Sequence, residues 1–153
     1  MALFLSTIIN KIDRKGRISV PAPFRSALSS SSFQGVVVFR SYKHPSLEGW
    51  GMERMVKLSE SVDHLALFSE LQDDFSATLF SDSLALPFDG EGRIFLPPDL
   101  LAYAEITDKA AFVGRGATFQ IWNPIAFDRH QSEARRRMQD QKGTLILSPP
   151  HSP

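Results

Sequence analysis

Five cationic side chains lie within fifteen residues near the start of the chain: Lys11, Arg14, Lys15, Arg17 and Arg25. Ammonium and guanidinium groups neutralise phosphates, and an arginine can also donate a forked pair of hydrogen bonds to guanine O6 and N7. Most of these cations surround Asp13–Arg17, a segment with the composition of a tight turn between two strands. A basic strand–turn–strand ribbon can enter the DNA major groove. The five residues are therefore the candidate contact with double-stranded DNA.

The same turn pattern occurs a second time in the chain. Residues 13–21 read DRKGRISVP and residues 89–97 read DGEGRIFLP, so Asp, Gly, Arg, Ile and Pro recur 76 positions apart. After each copy come a short helical pattern, an apolar strand and a tryptophan, Trp50 or Trp122. Two copies are too few for a solenoid. They predict a closed, pseudo-twofold unit in which each copy covers the other.

Each copy is predicted to form a strand, a tight turn, a second strand and a helix. The carboxylates of Asp13 and Asp89 can accept hydrogen bonds from the backbone of their own turns. Gly16 and Gly92 can adopt the positive φ that such turns require. Arg93 lies four residues after Asp89, where an ion pair would stabilise the turn. We therefore assign a structural role to these five residues.

The two turns differ in charge. The first contains Arg14 and Lys15 where the second contains Gly90 and Glu91. If both turns only stabilised the fold, there would be no reason for the positive charge to lie on one of them. We therefore expect the first turn to contact a polyanion and the second turn to stabilise the fold. The chain as a whole carries 17 basic and 17 acidic residues, and its net charge points to no partner.

Three further elements follow from hydrophobic periodicity. Residues 3–9 alternate as a strand with both faces partly buried. Residues 51–81 form an amphipathic helical segment with room for one break, with this apolar stripe: Leu58, Val62, Leu65, Phe68, Leu71, Phe75 and Leu79. A last helix is capped by Asn123 and carries Phe127, His130, Ala134 and Met138 on one face. It is expected to end at Gly143, before a frayed Pro-rich tail.

Composition and motifs exclude several classes of protein. With 42% hydrophobic and 22% charged residues, the chain resembles an ordinary globular protein. No cysteine is present, which excludes disulfides and thiolate metal sites. The four histidines have no metal-site spacing, and no nucleophile or phosphate-loop motif occurs. We expect no enzyme, cofactor, metal, small-molecule substrate or membrane association, and a cytoplasmic location.

The two Asp-x-x-x-Arg motifs, each followed by Ile-x-Val/Leu-Pro and a later tryptophan, resemble the MraZ family over about residues 5–143. The resemblance implies an α+β fold in which two AbrB-like swapped-hairpin repeats interlock as a pseudo-twofold β-barrel with flanking helices. It also implies a ring-shaped homo-oligomer, associated with the nucleoid. Such a protein would regulate transcription of the division and cell-wall gene cluster, as a repressor that binds short direct repeats upstream of its own operon.

Carried over to this sequence, the resemblance places DNA contact on Arg14, Lys15 and Arg17, with Lys11 and Arg25 beside them. The predicted boundaries are residues 7–54 for the first repeat, 55–82 for the connecting helical segment, 83–126 for the second repeat and 127–153 for the C-terminal helix and tail. Two alternatives stay open. One is an AbrB-like module of the antitoxin type, which binds a protein partner, and the other is an enzyme, for which no constellation was found.

Overall fold

Eight strands and five α-helices occur in residues 3–141, the part of the chain that the computed structural model describes. The strands are β1 (Thr7–Lys11), β2 (Arg17–Ser19), β3 (Gly35–Arg40), β4 (Leu47–Trp50), β5 (Leu84–Pro87), β6 (Arg93–Phe95), β7 (Lys109–Gly114) and β8 (Phe119–Trp122). The helices are α1 (Ala22–Ala27), α2 (Met52–Asp63), α3 (Glu70–Phe75), α4 (Pro98–Tyr103) and α5 (Pro124–Gln141), and a π-helical turn, Ser76–Phe80, follows α3. The predicted α+β class is confirmed. The predicted helix end at Gly143 and the tail lie outside the described residues.

The strand pairings join the two halves of the chain. Six strands form one antiparallel sheet in the order β1-β7-β8-β4-β3-β5, and β2 pairs with β6 in a separate ribbon. Strand β1 of the first half pairs with β7 of the second, while β5 of the second half pairs with β3 of the first. The halves therefore exchange their first strands. Within residues 3–141, β1 and β5 are the edges of the six-stranded sheet, so its ladder does not show a closed barrel.

Two residue pairs show that the sequence repeat is a pseudo-twofold relation in space. Ile18 lies directly opposite Ile94 in the ribbon, and Glu48 lies directly opposite Gln120 in the sheet. Each residue thus faces its own counterpart in the other copy. Gln120 Nε2 donates a hydrogen bond of 2.7 Å to the Glu48 carboxylate. The pseudo-twofold axis passes through both pairs.

The main core draws on both halves. Ile18 and Ile94 are each 1% exposed, and the strands above them add buried aliphatic side chains. Four aromatic rings fill the centre with tilted and edge-to-face contacts at centroid distances of 5.1–6.3 Å: Phe4, Phe24, Phe112 and Phe119. Burial of this size stabilises each large side chain by about 2–3 kcal/mol. Because the core is shared, each half covers the apolar face of the other.

The connecting segment is helical and broken once, as expected, but the predicted apolar stripe is wrong at Phe68 and Leu71. These side chains are 91% and 55% exposed. Phe68 adopts a φ of +62° in the turn between α2 and α3, and the Ser69 side chain caps α3 by accepting a hydrogen bond from Gln72 N–H. The two exposed side chains flank the break, whereas Phe75 and Leu79 beyond it are again partly buried, and Leu79 packs against the cluster that contains Met55 of α2.

The N-terminal strand is also shorter and more exposed than the alternation predicted. Ser6, with a φ of +74°, interrupts it, so that β1 begins at Thr7 and Phe4 forms an isolated bridge to Gly116. Phe4 is buried, whereas Leu5 and Ile9 are 62% and 54% exposed. Only one face of this segment therefore packs on the core.

Close packing at the sheet centre predicts a steric effect at Gly49. A Cβ atom there would lie 2.5 Å from the Phe119 ring, which is held among three other aromatic rings. Gly49→Ala should lower the free energy of unfolding by about 1–3 kcal/mol, the usual cost of overpacking. Urea denaturation at one fixed protein concentration measures it.

Gly90→Ala is the matched control, because a Cβ atom at Gly90 meets nothing within 4 Å. It should leave the free energy of unfolding unchanged or raise it by less than about 1 kcal/mol. Equal losses in the two variants would contradict the packing described around Phe119.

Candidate nucleic-acid interface

The first turn is organised by the carboxylate of Asp13. One oxygen accepts hydrogen bonds from the backbone N–H of Lys15 at 2.9 Å and of Arg17 at 2.8 Å. The other accepts a bond of 2.7 Å from Arg17 Nε. The side chain of Asp13 therefore closes the turn and fixes the stem of the Arg17 guanidinium.

The second turn has the same construction. Asp89 accepts hydrogen bonds of 2.9 Å from the backbone N–H groups of Glu91 and Arg93, and a bond of 2.8 Å from Arg93 Nε. The bonds that close the two turns come from the backbone and from the Asp–Arg pair. They do not involve the side chains at the two middle positions, which are therefore free to differ.

The hydrogen bonds keep both aspartates charged. The backbone N–H of Arg17 is the largest influence that lowers the pKa of Asp13, and the backbone N–H of Arg93 does the same for Asp89. The hydrogen bond that Arg93 donates to the Asp89 carboxylate in turn raises the pKa of Arg93. Since the aspartate pKa values are lowered by folding, this contribution to stability is present above the unfolded-state values and is lost as the pH falls through the folded-state values.

The turn glycines attach each turn to the opposite half. Gly16 and Gly92 have φ values of +85° and +74°, which favour glycine. The Gly16 carbonyl accepts a hydrogen bond of 2.8 Å from Leu96 N–H, and the Gly92 carbonyl accepts one of 3.1 Å from Val20 N–H. The two turns therefore lie at opposite ends of the β2–β6 ribbon. Four residues of strand separate them, which corresponds to about 13 Å.

The structure brings four of the five candidate cations to the first turn. Lys11, Arg14 and Lys15 are exposed, and none takes part in an ion pair within residues 3–141. Arg17 is half-buried and paired with Asp13. The four form a cationic surface that we call the basic tip.

Arg25 lies elsewhere. It belongs to α1, and its Nε donates a hydrogen bond of 3.0 Å to the carbonyl of Val20. Its guanidinium lies against Gly92, where a Cβ atom would collide with it. The structure thus places Arg25 beside the second turn, where it packs over the glycine.

One further cation joins the basic tip from the other half of the chain. Lys109, at the start of β7, lies directly opposite Lys11 and is exposed. At the second turn the corresponding strand pair is Gly35 opposite Pro87, which carries no charge. Like charges directly opposite each other destabilise a sheet. Sequence reasoning missed Lys109 because only the exchanged strand pairing brings it to the first turn.

Neither a metal site nor a membrane span is found in the part of the chain that the structure describes. No group of three or more His, Asp or Glu side chains there is arranged to hold a metal ion. No helix there has both the length and the apolar character needed to cross a membrane.

Comparison with known families gives a consistent result. The family model described as "MraZ protein, putative antitoxin-like" matches residues 3–76 and again residues 79–148. The two matches follow the two repeats and together cover nearly the whole chain.

Relatives extend over almost the full length of this chain and of their own. A protein named transcriptional regulator MraZ from Pelagibacter ubique is 46% identical over 143 residues, which are 94% of this chain and 92% of the relative. Proteins of the same name from Gluconacetobacter diazotrophicus and Rickettsia akari are 43% and 37% identical, over 90% and 95% of this chain and 89% and 97% of theirs. These relatives are transcriptional regulators, a class without enzymatic activity. Identity at this level over this length, with one family match for each repeat, shows that the chain belongs to the MraZ family.

Proposed function

We propose that this chain is a sequence-specific DNA-binding transcriptional regulator and that the basic tip contacts double-stranded DNA. One observation carries the proposal: the two turns share one scaffold and differ mainly in charge. Asp13 and Asp89 make equivalent bonds, yet the first turn displays Arg14 and Lys15 where the second displays Gly90 and Glu91. The names of the relatives support a role in transcription.

The two turn arginines differ in a way that supports this division of roles. Arg93 has a carboxylate near its fork, with Nη1 3.6 Å from Glu91. Arg17 uses only Nε, and within the described residues its two Nη groups donate no hydrogen bond to protein. Asp13 thus orients the Arg17 guanidinium and leaves its fork available for a base edge or a phosphate. Lys11, Arg14, Lys15 and Lys109 would then contact phosphates, which give affinity without reading sequence.

We further propose that the two halves are AbrB-like swapped hairpins, supported by the exchange of β1 and β5 between them. The proposed target is DNA with short direct repeats upstream of the chain's own operon, which is the division and cell-wall gene cluster. There the protein would act as a repressor, associated with the nucleoid. Repeated sites fit an assembly that presents several basic tips at once, because linked contacts raise the effective concentration.

A protein-binding module of the antitoxin type is the second candidate, favoured by the wording of the family description. A gel shift separates the two. The chain should retard duplex DNA from upstream of its own gene more strongly than a shuffled duplex at the same salt concentration. Equal retardation of both duplexes would contradict sequence-specific binding.

The assembly is predicted to be a closed homo-oligomeric ring. The segment from α2 to α3 exposes Leu67, Phe68 and Leu71, which are 73%, 91% and 55% accessible in the single chain, beside acidic side chains. Burying these groups against a neighbouring subunit would be favourable. Size exclusion with light scattering should give a defined multiple of the 17.1 kDa chain at micromolar concentration. A mass near that of one chain would contradict the ring.

Exchanging the middle residues of the two turns tests the charge asymmetry. The variant carries Arg14→Gly and Lys15→Glu together with Gly90→Arg and Glu91→Lys, so composition and net charge are unchanged. Neither middle position of either turn has a positive φ, so both turns should form. DNA binding should weaken steeply, and the slope of log K against log salt should shrink by roughly 2 per bound subunit.

Thermal melting of the exchanged variant is the control, since an unfolded protein would also lose binding. If the variant melts like the original chain and keeps its affinity and salt slope, the two turns are equivalent toward DNA. The role proposed for Arg14 and Lys15 would then be wrong.

Single alanine substitutions separate the two turn arginines. Arg17→Ala should weaken specific binding by about 2 kcal/mol per bound subunit if the fork reaches a base edge. Arg93→Ala removes the matching Asp–Arg pair and should lower the melting temperature, with DNA affinity of the folded protein nearly unchanged. An Arg93→Ala variant that melts like the original chain but fails to bind DNA would contradict this division of roles.

A further inference from the structure

Two imidazoles lie against Trp122, at a place that the DNA proposal does not use. His130 of α5 stacks on the indole with centroids 4.9 Å apart and planes 20° apart. His44, from the loop between β3 and β4, lies 5.4 Å from the same indole and 4.6 Å from the His130 ring. Three separate parts of the chain therefore meet at this stack.

Three cations lower the pKa values of the two imidazoles through their charge: Lys43, Arg115 and Arg137. All three are exposed, and none forms an ion pair within the described residues. Arg115 donates a hydrogen bond of 3.1 Å to the side-chain oxygen of Gln120. We call the three cations and the two imidazoles the cationic cluster.

The acids that face the cationic cluster do not balance it. Glu133 of α5 raises the pKa of His130. Glu48 lines the same cleft as His44, but its carboxylate accepts a hydrogen bond of 2.7 Å from Gln120. Two carboxylates therefore face three permanent cations and two groups that can gain a proton.

The neighbouring positive charge affects the pKa values of both imidazoles. Burial lowers the pKa of His44, and the neighbouring His130 and Lys43 lower it further. Burial also lowers the pKa of His130, with Arg115 and Arg137 as the next causes. The neighbouring cations thus add to the effect of burial, and a bound anion would offset their part.

Open space adjoins the cationic cluster on two sides. One cleft of about 340 Å³ is lined by Lys43, His44 and Arg115. A second of about 340 Å³ is lined by Arg115 and His130, with the Ser6 and Thr7 side chains at its wall. Arg115 lies between the clefts, so a small anion in either of them would come within reach of its guanidinium.

The internal repeat shows that the fold does not require an imidazole at the position of His130. Trp50 and Trp122 occupy matching positions, 72 residues apart, after the paired residues Glu48 and Gln120. At the same spacing, His130 corresponds to Leu58 of α2. The first half places Arg54 over its tryptophan, 5.0 Å from the ring centroid, and has no imidazole at the position of His130. The imidazole of His130 is therefore a feature that the two repeats do not share.

The cationic cluster is also separate from the basic tip. Lys109 of the tip begins β7, whereas Arg115 follows the end of that strand at Gly114. A six-residue strand is about 20 Å long. One phosphate group cannot contact both surfaces.

From this geometry we propose that the cationic cluster binds a phosphate group beside Arg115, with Lys43 and His44 as further donors in one cleft or His130 in the other, while Arg137 adds positive charge. Phosphate oxygens accept charge-assisted hydrogen bonds from guanidinium, ammonium and imidazolium groups. The source is a small phosphate ester or diphosphate, or the backbone of a nucleic acid. The inference does not depend on the function proposed for the basic tip.

The proposal predicts that phosphate binding and histidine protonation assist each other. A bound anion offsets the field of the three cations, so the pKa values of His44 and His130 should rise. By linkage, binding should tighten as the pH falls from 7.5 to about 5.5. A site that acted through the permanent cations alone would instead bind more weakly as the pH falls, because a phosphate group takes up a proton of its own at about pH 6.

The test is a histidine NMR titration of the full chain in sodium pyrophosphate and in sodium chloride of equal ionic strength. We expect the pKa values of His44 and His130 to rise by about half a unit or more in pyrophosphate relative to chloride. Equal pKa values for His44 and His130 in the two salts would overturn the assignment of a small anion.

A second arm replaces pyrophosphate with a 20-base-pair duplex of arbitrary sequence, added to an Arg17→Ala variant so that the basic tip contributes less. A rise in the two pKa values with pyrophosphate assigns a small phosphate ligand. A rise with the duplex alone assigns a nucleic-acid backbone. No rise with either overturns the proposal.

Charge-removing variants locate the site. Lys43→Gln with Arg137→Gln should weaken pyrophosphate binding roughly tenfold and leave the dependence on pH in place, because His44 and His130 are unchanged. Lys57→Gln with Arg135→Gln is the matched control, because both residues are exposed cations and Arg135 lies about 200° around the helix from Arg137. Equal losses in the two double variants would show nonspecific attraction and would contradict a site at Trp122.

Discussion

Two backbone hydrogen bonds between the halves of the chain govern the rest of the structure. Leu96 N–H donates to the carbonyl of Gly16, and Val20 N–H donates to the carbonyl of Gly92. Each turn is thereby bonded to the strand that follows the other turn. A buried backbone group without a partner costs several kcal/mol, so neither turn can form its full set of bonds without the other half. The pairing of Ile18 with Ile94 and the shared aromatic core follow from this reciprocity.

The same constraint explains how two turns of one shape can serve different purposes. Backbone bonds and the Asp–Arg pairs fix each turn, and the middle side chains project into solvent. Positive charge can therefore accumulate at Arg14 and Lys15 without disturbing the ribbon. Lys109 facing Lys11 adds charge at some cost to the sheet, and a contact with a polyanion would offset that repulsion.

Local sequence was enough to predict the turns, because an Asp–x–x–Gly–Arg segment contains its own hydrogen-bonding partners. The single break in the connecting helix and the cap at Asn123, whose side chain accepts hydrogen bonds from Ile125 and Ala126 N–H, were predictable for the same reason. The position of Arg25 beside Gly92 and the arrival of Lys109 at the first turn depend on pairings between distant strands, which no local pattern encodes. Phe68 is exposed in the turn between α2 and α3, where it adopts a positive φ that the helical periodicity does not predict.

The central claim is that the basic tip, and not the equivalent second turn, contacts DNA. The most direct measurement is the NMR spectrum of the chain labelled with ¹⁵N only at glycine, which leaves nine backbone signals, recorded with and without duplex DNA from upstream of the gene. Gly16 and Gly92 are matched probes, since each has a positive φ and occupies the same place in its turn. The account predicts that the Gly16 signal moves on addition of DNA while the Gly92 signal stays in place. Equal movement of the two signals, or movement of Gly92 alone, would contradict it.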